Sequence, residues 1–190
     1  RPEPLTSLQV LEIFRRKTAP AFEVALRLGA LSAGADEATH AILSEYSESL
    51  GIAYQIRDDL EDFTGESDSN DLADLRPSLI LAIAHKRAED GREKDLIASL
   101  WRREVRFEDV RDEVLRILSE RGVAAKAREL RDAYEQQAIN SLRTLTNPTL
   151  KGLLRRVVGK IFGNDLIEGY CGEFEARNAA GGAAGAQPAP

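Results

Sequence analysis

The segment that most constrains the fold runs from residue 36 to residue 63, because two different stripes follow it at the spacing of an α-helix. One stripe passes through positions 51, 55, 58, 59 and 62, and it consists of a glycine, an amide and three carboxylates. Side chains three and four residues apart share one helix face, so the segment is predicted to be one long helix. The stripe beside it is apolar and would face a core; its members are Ile42, Tyr46, Leu50, Ala53, Leu60 and Phe63.

The end of this helix is crowded with negative charge. Carboxylates occupy positions 58, 59, 61 and 62, and Arg57 is the nearby cation. Like charges at this spacing weaken a helix by roughly a few tenths of a kcal/mol per pair, which a bound cation would offset. Magnesium takes oxygen ligands and is usually held by one or two carboxylates plus substrate phosphates. Asp58, Asp59 and Asp62 are therefore predicted to form a magnesium-diphosphate site, the alternative being a solvated acidic helix end.

Another helix is predicted over residues 5–31, with Thr6 or Ser7 as its N-cap and a kink at Pro20. Its apolar stripe continues at Lys17, so this lysine is predicted to point toward the core. Burying an ammonium group is costly unless an anion meets it, and a carboxylate or a ligand phosphate is expected there. The alternative is a lysine whose stem is buried while its charged end stays in water.

The rest of the chain also follows helical spacing, and no segment alternates as a strand would. Further helices are predicted from Pro77 to near Gly91, around residues 110–118 with an end at Gly122, from Val123 to about Leu145, and from Asn147 and Pro148 through Ile161. The fold class is therefore all-α. Residues 1–178 are predicted to form one domain, and residues 179–190, which are Ala, Gly and Pro with one Gln, a disordered tail.

Composition excludes several classes of function. The 32 acidic residues outnumber the 26 basic ones, which argues against a nucleic-acid partner. Cys171 is the single cysteine and there are two histidines, so neither an internal disulfide nor a zinc site is expected. The sequence has no run of apolar residues long enough for a membrane span and no signal peptide at its start, which favours a cytoplasmic protein. It also lacks methionine, as expected for a fragment or a processed chain.

The motifs resemble those of the trans-isoprenyl diphosphate synthases, the polyprenyl synthetase family. The resemblance is carried, in order, by Lys17-Thr18, by Gly51-x-x-Tyr54-Gln55-x-x-Asp58-Asp59-x-x-Asp62, and by Asp71-Leu72 and Pro77. It implies a helix bundle of the isoprenoid synthase type, with orthogonal and antiparallel helices, in which two aspartate-rich motifs face each other. The motif here looks like the second, and the resemblance covers roughly the C-terminal half of a typical member. The first motif is not in this sequence, so the chain alone is expected to be inactive.

The resemblance further implies a prenyltransferase that elongates an allylic diphosphate with isopentenyl diphosphate. Magnesium, or manganese in its place, would be held by Asp58, Asp59 and Asp62. The catalytic residues would be Lys17, Thr18 and Gln55, and the substrate-binding residues Lys17, Tyr54 and Arg76. Lys17 would bind the diphosphate, and the oxygens of Thr18 and Gln55 would stabilise the allylic cation. The family also implies a homodimer, with a heteromeric assembly as the alternative.

One departure from the family keeps other functions open. The family usually places two lysines after the second aspartate motif, whereas residues 64–70 contain none and Arg76 stands at the position of the later one. Arginine holds phosphate with a different geometry from lysine, so the exchange is not neutral. A non-catalytic subunit of a polyprenyl diphosphate synthase is therefore an alternative. A terpene cyclase with the same ionisation chemistry is another.

Overall fold

The computed structural model describes residues 3–64, 78–89 and 91–163, apart from the side chains of residues 63 and 64. Within these ranges the chain is helical and has no strand, which confirms the all-α prediction. The helices are α1 (Ser7–Lys17), α2 (Ala19–Ser32), α3 (Glu37–Thr64), α4 (Leu79–Arg87), α5 (Gly91–Trp101), α6 (Phe107–Glu120), α7 (Val123–Ser141) and α8 (Pro148–Phe162), with a 3₁₀ turn at Leu142–Thr144. No helix in the described ranges has both the length and the apolar content that crossing a bilayer requires.

The chain divides into two compact units, Arg1–Ala138 and Ile139–Pro190. In the first unit, α2 packs along α3, and α1 contacts α2, α3 and α4. Helix α4 is at the centre of the core, because its residues from Leu79 to Ala84 are all buried. A helix that is apolar on all sides has to be surrounded by other elements of the fold. The position of α4 therefore helps to determine which residues the acidic end of α3 contacts.

The second unit contains the 3₁₀ turn and α8 among its described residues. Asn147 caps α8, since its side-chain oxygen accepts a hydrogen bond from the Leu150 amide at 3.0 Å. Pro148 follows at the start of the helix, where its missing N–H costs nothing. The predicted start of this helix is confirmed. The predicted tail, residues 179–190, lies outside the described residues, and the predicted division at residue 178 stays a prediction.

The prediction of one kinked helix over residues 5–31 was wrong. Two helices occupy that stretch, and Thr18 separates them. Pro20 lies in the first turn of α2, where a residue without an N–H belongs; inside a continuous helix it would clash with the carbonyl four residues earlier. Thr6 is the N-cap of α1, as predicted, and forms a capping box with Gln9.

The helices after the acidic motif also differ from the prediction. Helix α4 begins at Leu79 with Ser78 as its N-cap, and it ends at Arg87 rather than near Gly91. Pro77, the predicted start, lies outside the described residues. Gly91–Trp101 is a further helix that the sequence argument missed. Gly122 does end α6, and its φ of 58° is the left-handed conformation that glycine tolerates.

Candidate functional site

A close crossing of α2 and α3 brings the first sequence motif beside the second. Gly51 is buried in α3, and a Cβ atom built on it would lie 2.7 Å from the Cα of Ala19 and 2.8 Å from its backbone nitrogen. Only glycine allows this approach. Ala19 directly follows Lys17 and Thr18, so the junction of α1 and α2 lies next to the acidic stripe. Asp58 is seven residues further along α3, which is about 10 Å of helix.

Lys17 is exposed, so the prediction that it points toward the core was wrong. The buried face of α1 ends with Phe14, and Lys17 is the last residue of the helix before the chain turns at Thr18. Helical spacing does extend to Lys17, but the helix ends there and the side chain lies beyond the last buried position. Its ammonium forms no ion pair with the described carboxylates, and it is accessible to a ligand. Thr18 beside it is half-buried. The catalytic roles assigned to both residues stay predictions.

Asp58 accepts hydrogen bonds from two residues that precede it on α3. Gln55 donates from Nε2 to one carboxylate oxygen at 3.4 Å, and Arg57 donates from Nη2 to the other at 3.0 Å. Arg57 also forms an ion pair with Glu61 at 3.2 Å. Partial burial raises the pKa of Asp58 above its ordinary value, although the Arg57 guanidinium pulls the pKa down. Asp58 is thus a half-buried carboxylate with one strong cationic partner.

The ring of Tyr54 contacts the guanidinium of Arg57. Its ring centroid lies 4.5 Å from the guanidinium carbon of Arg57, which is a cation–π contact. The Tyr54 ring also contacts Phe22 on α2, with centroids 5.9 Å apart in an edge-to-face arrangement. Tyr54 therefore links α2, α3 and the cation beside Asp58. The predicted contact of Tyr54 with a substrate stays a prediction.

Asp59 faces a different neighbour from Asp58. Its Oδ2 accepts hydrogen bonds from the backbone N–H groups of Leu79 at 2.6 Å and Ile80 at 3.1 Å, which are the first residues of α4. Burial raises the pKa of Asp59 to about 6, although bonds from Ile80, the Ser78 side chain and Leu79 lower the pKa. Consecutive residues on a helix point about 100° apart, so Asp58 and Asp59 do not converge on one point.

The described residues offer two carboxylates for a metal ion on one face. Asp58 and Asp62 are four residues apart and both half-buried. No group of three or more His, Cys, Asp and Glu side chains in the described ranges is arranged to hold a metal. Magnesium usually takes one or two protein carboxylates and completes its shell with phosphates and water. The Asp58 and Asp62 pair fits that requirement.

Two residues of the site were not among the predicted site residues. Arg57 was noted as a nearby cation, but its stacking on Tyr54 needs the i, i+3 geometry of the formed helix. Ser78 was missed as the N-cap of α4, although a serine directly before an apolar run is a usual cap signal. Asp71, Leu72 and Arg76 lie outside the described residues, so the predicted substrate contact of Arg76 stays a prediction.

Comparisons with known proteins agree on one family. The family described as "Polyprenyl synthetase" matches residues 3–118. The octaprenyl diphosphate synthase of Haemophilus influenzae is 30% identical over 161 residues, which are 80% of this chain and 48% of that protein. The heptaprenyl diphosphate synthase component 2 of Bacillus subtilis is 44% identical over 54 residues, which are 28% of this chain and 16% of that protein.

A solved structure shares the fold over most of the chain. The polyprenyl synthase of Roseobacter denitrificans superposes with a TM-score of 0.73 at 25% identity, covering 83% of this chain and 52% of that chain. The chain thus spans about half the length of the solved synthase and slightly less than half of the octaprenyl synthase.

Proposed function

The chain belongs to the polyprenyl synthetase family, and we propose that it supplies one half of the active site of a prenyltransferase. The substrates would be an allylic diphosphate and isopentenyl diphosphate. The names of the curated relatives, which are prenyl diphosphate synthases, support this assignment. The first aspartate-rich motif would be supplied by the part of the family's fold that this sequence does not cover.

The observation that carries the proposal is the crossing at Gly51. Because α2 approaches α3 to van der Waals contact there, a lysine and a threonine lie beside the helix that bears Gln55 and the acidic motif. A cation, a hydroxyl, an amide and carboxylates then line one region within about three turns of α3. These are the groups that the departure of a diphosphate from an allylic carbon requires.

Each residue can be given a part in that reaction. Magnesium, bound by Asp58 and Asp62, would neutralise the charge of the leaving diphosphate as a Lewis acid. Lys17, exposed at the end of α1, would bind the same diphosphate. Gln55 gives its N–H to Asp58, which leaves its carbonyl oxygen to stabilise the allylic cation. Attack by the alkene of isopentenyl diphosphate and loss of a proton then lengthen the product by one five-carbon unit.

The test is condensation of labelled isopentenyl diphosphate with geranyl or farnesyl diphosphate in the presence of magnesium. The complete natural reading frame should elongate the allylic substrate, and the 190-residue chain alone should not. Asp58→Asn in the complete protein should lower turnover by about a hundredfold or more, since it removes a group that stabilises charge in the transition state. Asp95→Asn, an exposed change of the same chemistry on α5, is the matched control and should keep full turnover.

Near-normal turnover of Asp58→Asn would overturn the assignment. The analysis of the product also separates a third class of enzyme. A cyclic hydrocarbon formed from the allylic diphosphate alone would identify a terpene cyclase instead of an elongating synthase.

A second candidate function is a non-catalytic subunit of a two-component synthase. The name of the Bacillus subtilis relative, which is a component of a heptaprenyl synthase, supports an assembly of two components, and the absence of lysine from residues 64–70 favours a subunit without catalysis of its own. In that case the chain should co-purify with a complete synthase. Replacement of Asp58 and Asp62 by asparagine should then leave the activity of the assembly unchanged.

A further inference from the structure

We infer that Asp59 is a positioning residue, whose carboxylate fixes the start of α4 against the acidic end of α3 while Asp58 and Asp62 face the ligand. This inference rests on the proposed function for its catalytic consequence, but the contact itself does not. One oxygen, Oδ2, accepts from Leu79 N at 2.6 Å and from Ile80 N at 3.1 Å. The acidic motif is thereby divided into two faces with different tasks.

Hydrogen-bond acceptors are found for the first three amides within α4. The N-terminal amides of a helix have no partner within it. Asp59 accepts hydrogen bonds from the amides of Leu79 and Ile80, and the Ser78 hydroxyl accepts one from Leu81 N at 3.3 Å. The next amide, of Ala82, donates to the Ser78 carbonyl and begins the helical ladder. A side chain from α3 therefore completes the N-terminus of α4.

Asp59 is half-buried, but the amides from which it accepts belong to buried residues. Ser78 is 8% exposed, and Leu79 and Ile80 are 0% and 1% exposed. Buried amides that lose their acceptor stay unpaired, which disfavours the conformation that buries them. The positive end of the helix dipole adds a preference for a carboxylate at the same position. The contact therefore ties the position of α3 at Asp59 to the most buried helix of the first unit.

The catalytic consequence follows from the geometry of α3. Asp58 precedes Asp59 directly, so the anchor at Asp59 sets the rotation of α3 about its axis at the motif. If the anchor is lost, Asp58 and Asp62 turn or move together relative to the core. Asp59 would thus act through its neighbours and not by contact with metal or substrate.

Two substitutions at Asp59 separate this role from that of a metal ligand. Asparagine keeps a carbonyl oxygen for the two amides but is a poor magnesium ligand, and it is as good a helix cap as aspartate. Alanine removes the acceptor. In the complete protein, Asp59→Ala should lower the hydrogen-exchange protection of the Leu79 and Ile80 amides by about tenfold or more, and Asp59→Asn should restore it.

The second readout is the magnesium concentration that gives half of the maximal condensation rate. Asp58→Asn should raise that concentration by about tenfold or more without changing the protection of the α4 amides, whereas Asp59→Asn should raise it by no more than about twofold. An equal magnesium effect of the two asparagine variants would overturn the inference. Unchanged amide protection in Asp59→Ala would overturn it as well. If the complete protein showed no condensation with any substrate, the proposed function would fail, and the exchange measurement would still decide whether Asp59 holds α4.

Discussion

Gly51→Ala tests the helix crossing on which the site is built. The added methyl would lie 2.7 Å from Ala19 Cα and 3.2 Å from Ala19 Cβ. Carbon atoms in contact are normally about 3.5–4.0 Å apart, so α2 and α3 must separate by roughly 1 Å. The obstacle is backbone, which has no rotamer to change. The strain cannot therefore be relieved by a side-chain movement.

The size of the effect follows from two opposing contributions. Overpacking of this kind costs about 1–3 kcal/mol. Replacing glycine by alanine inside a helix returns about 0.5–1 kcal/mol. The expected net loss is up to about 2.5 kcal/mol of unfolding free energy, which for a chain of this size lowers Tm by up to about 10 °C.

The matched control is Gly29→Ala within α2. A Cβ at that position has no atom within 4 Å, so only the helix-propensity gain remains, and the variant should be more stable by about 0.5–1 kcal/mol. Both variants are compared with the parent by urea and thermal unfolding. If Gly51→Ala proves as stable as Gly29→Ala, the close approach of the two helices is refuted. The Lys17–Thr18 junction would then not adjoin the acidic stripe.

Two further changes test the contacts around the core and the site. Glu93 is buried and takes two hydrogen bonds from Arg121 at 3.0 Å each, which hold the pKa of Glu93 below its ordinary value of 4.5. This stabilisation is present above pH 4.5 and is lost as the pH falls, so Glu93→Gln should reduce the loss of unfolding free energy on acidification. Glu89 is an exposed partner of the same arginine, and Glu89→Gln should leave that loss nearly unchanged. Urea unfolding at several pH values measures both variants. Tyr54→Ala should lower the unfolding free energy by about 1–3 kcal/mol in the same assay, because it removes the ring that contacts Arg57. Tyr54→Phe keeps the ring and should lower the unfolding free energy much less. Equal losses in the two variants would show that the hydroxyl, and not the ring face, is responsible.

The long helix α3 could be predicted because its pattern is long and both stripes agree. Its observed bounds, Glu37–Thr64, lie within a residue or two of the predicted ones. Helix α5 was missed because its first turn is Gly-Arg-Glu-Lys-Asp, which carries no apolar signal, and its apolar residues occupy little more than one turn. The break at Thr18 was missed because a proline inside a helical pattern predicts either a kink or a new start, and packing decides between them.

The metal-binding roles predicted for Asp58, Asp59 and Asp62 stay predictions, whereas the structure gives Asp58 and Asp59 different neighbours. Sequence spacing placed Asp58, Asp59 and Asp62 on one face, yet a face broad enough to include two consecutive residues spans about 100°. What Asp59 meets depends on the start of α4, twenty residues later in the chain, and local spacing carries no information about that approach. For Lys17 the predicted direction itself was wrong. Lys17 is the last residue of α1, and the buried face of that helix ends at Phe14, so the apolar pattern gave the lysine a core direction that its side chain does not have.

The negative charge that suggested a metal ion is met in part by the chain itself. Arg57 forms ion pairs with Asp58 and with Glu61, and the first amides of α4 donate hydrogen bonds to Asp59. Magnesium binding is therefore implied by the resemblance of the motif to that of the family more than by uncompensated charge. A magnesium ion at Asp58, as proposed, would compete with the Arg57 guanidinium, which contacts the Tyr54 ring. Diphosphate oxygens both add ligands to the ion and accept hydrogen bonds from arginine, so the site should favour magnesium that arrives with a diphosphate over the bare ion.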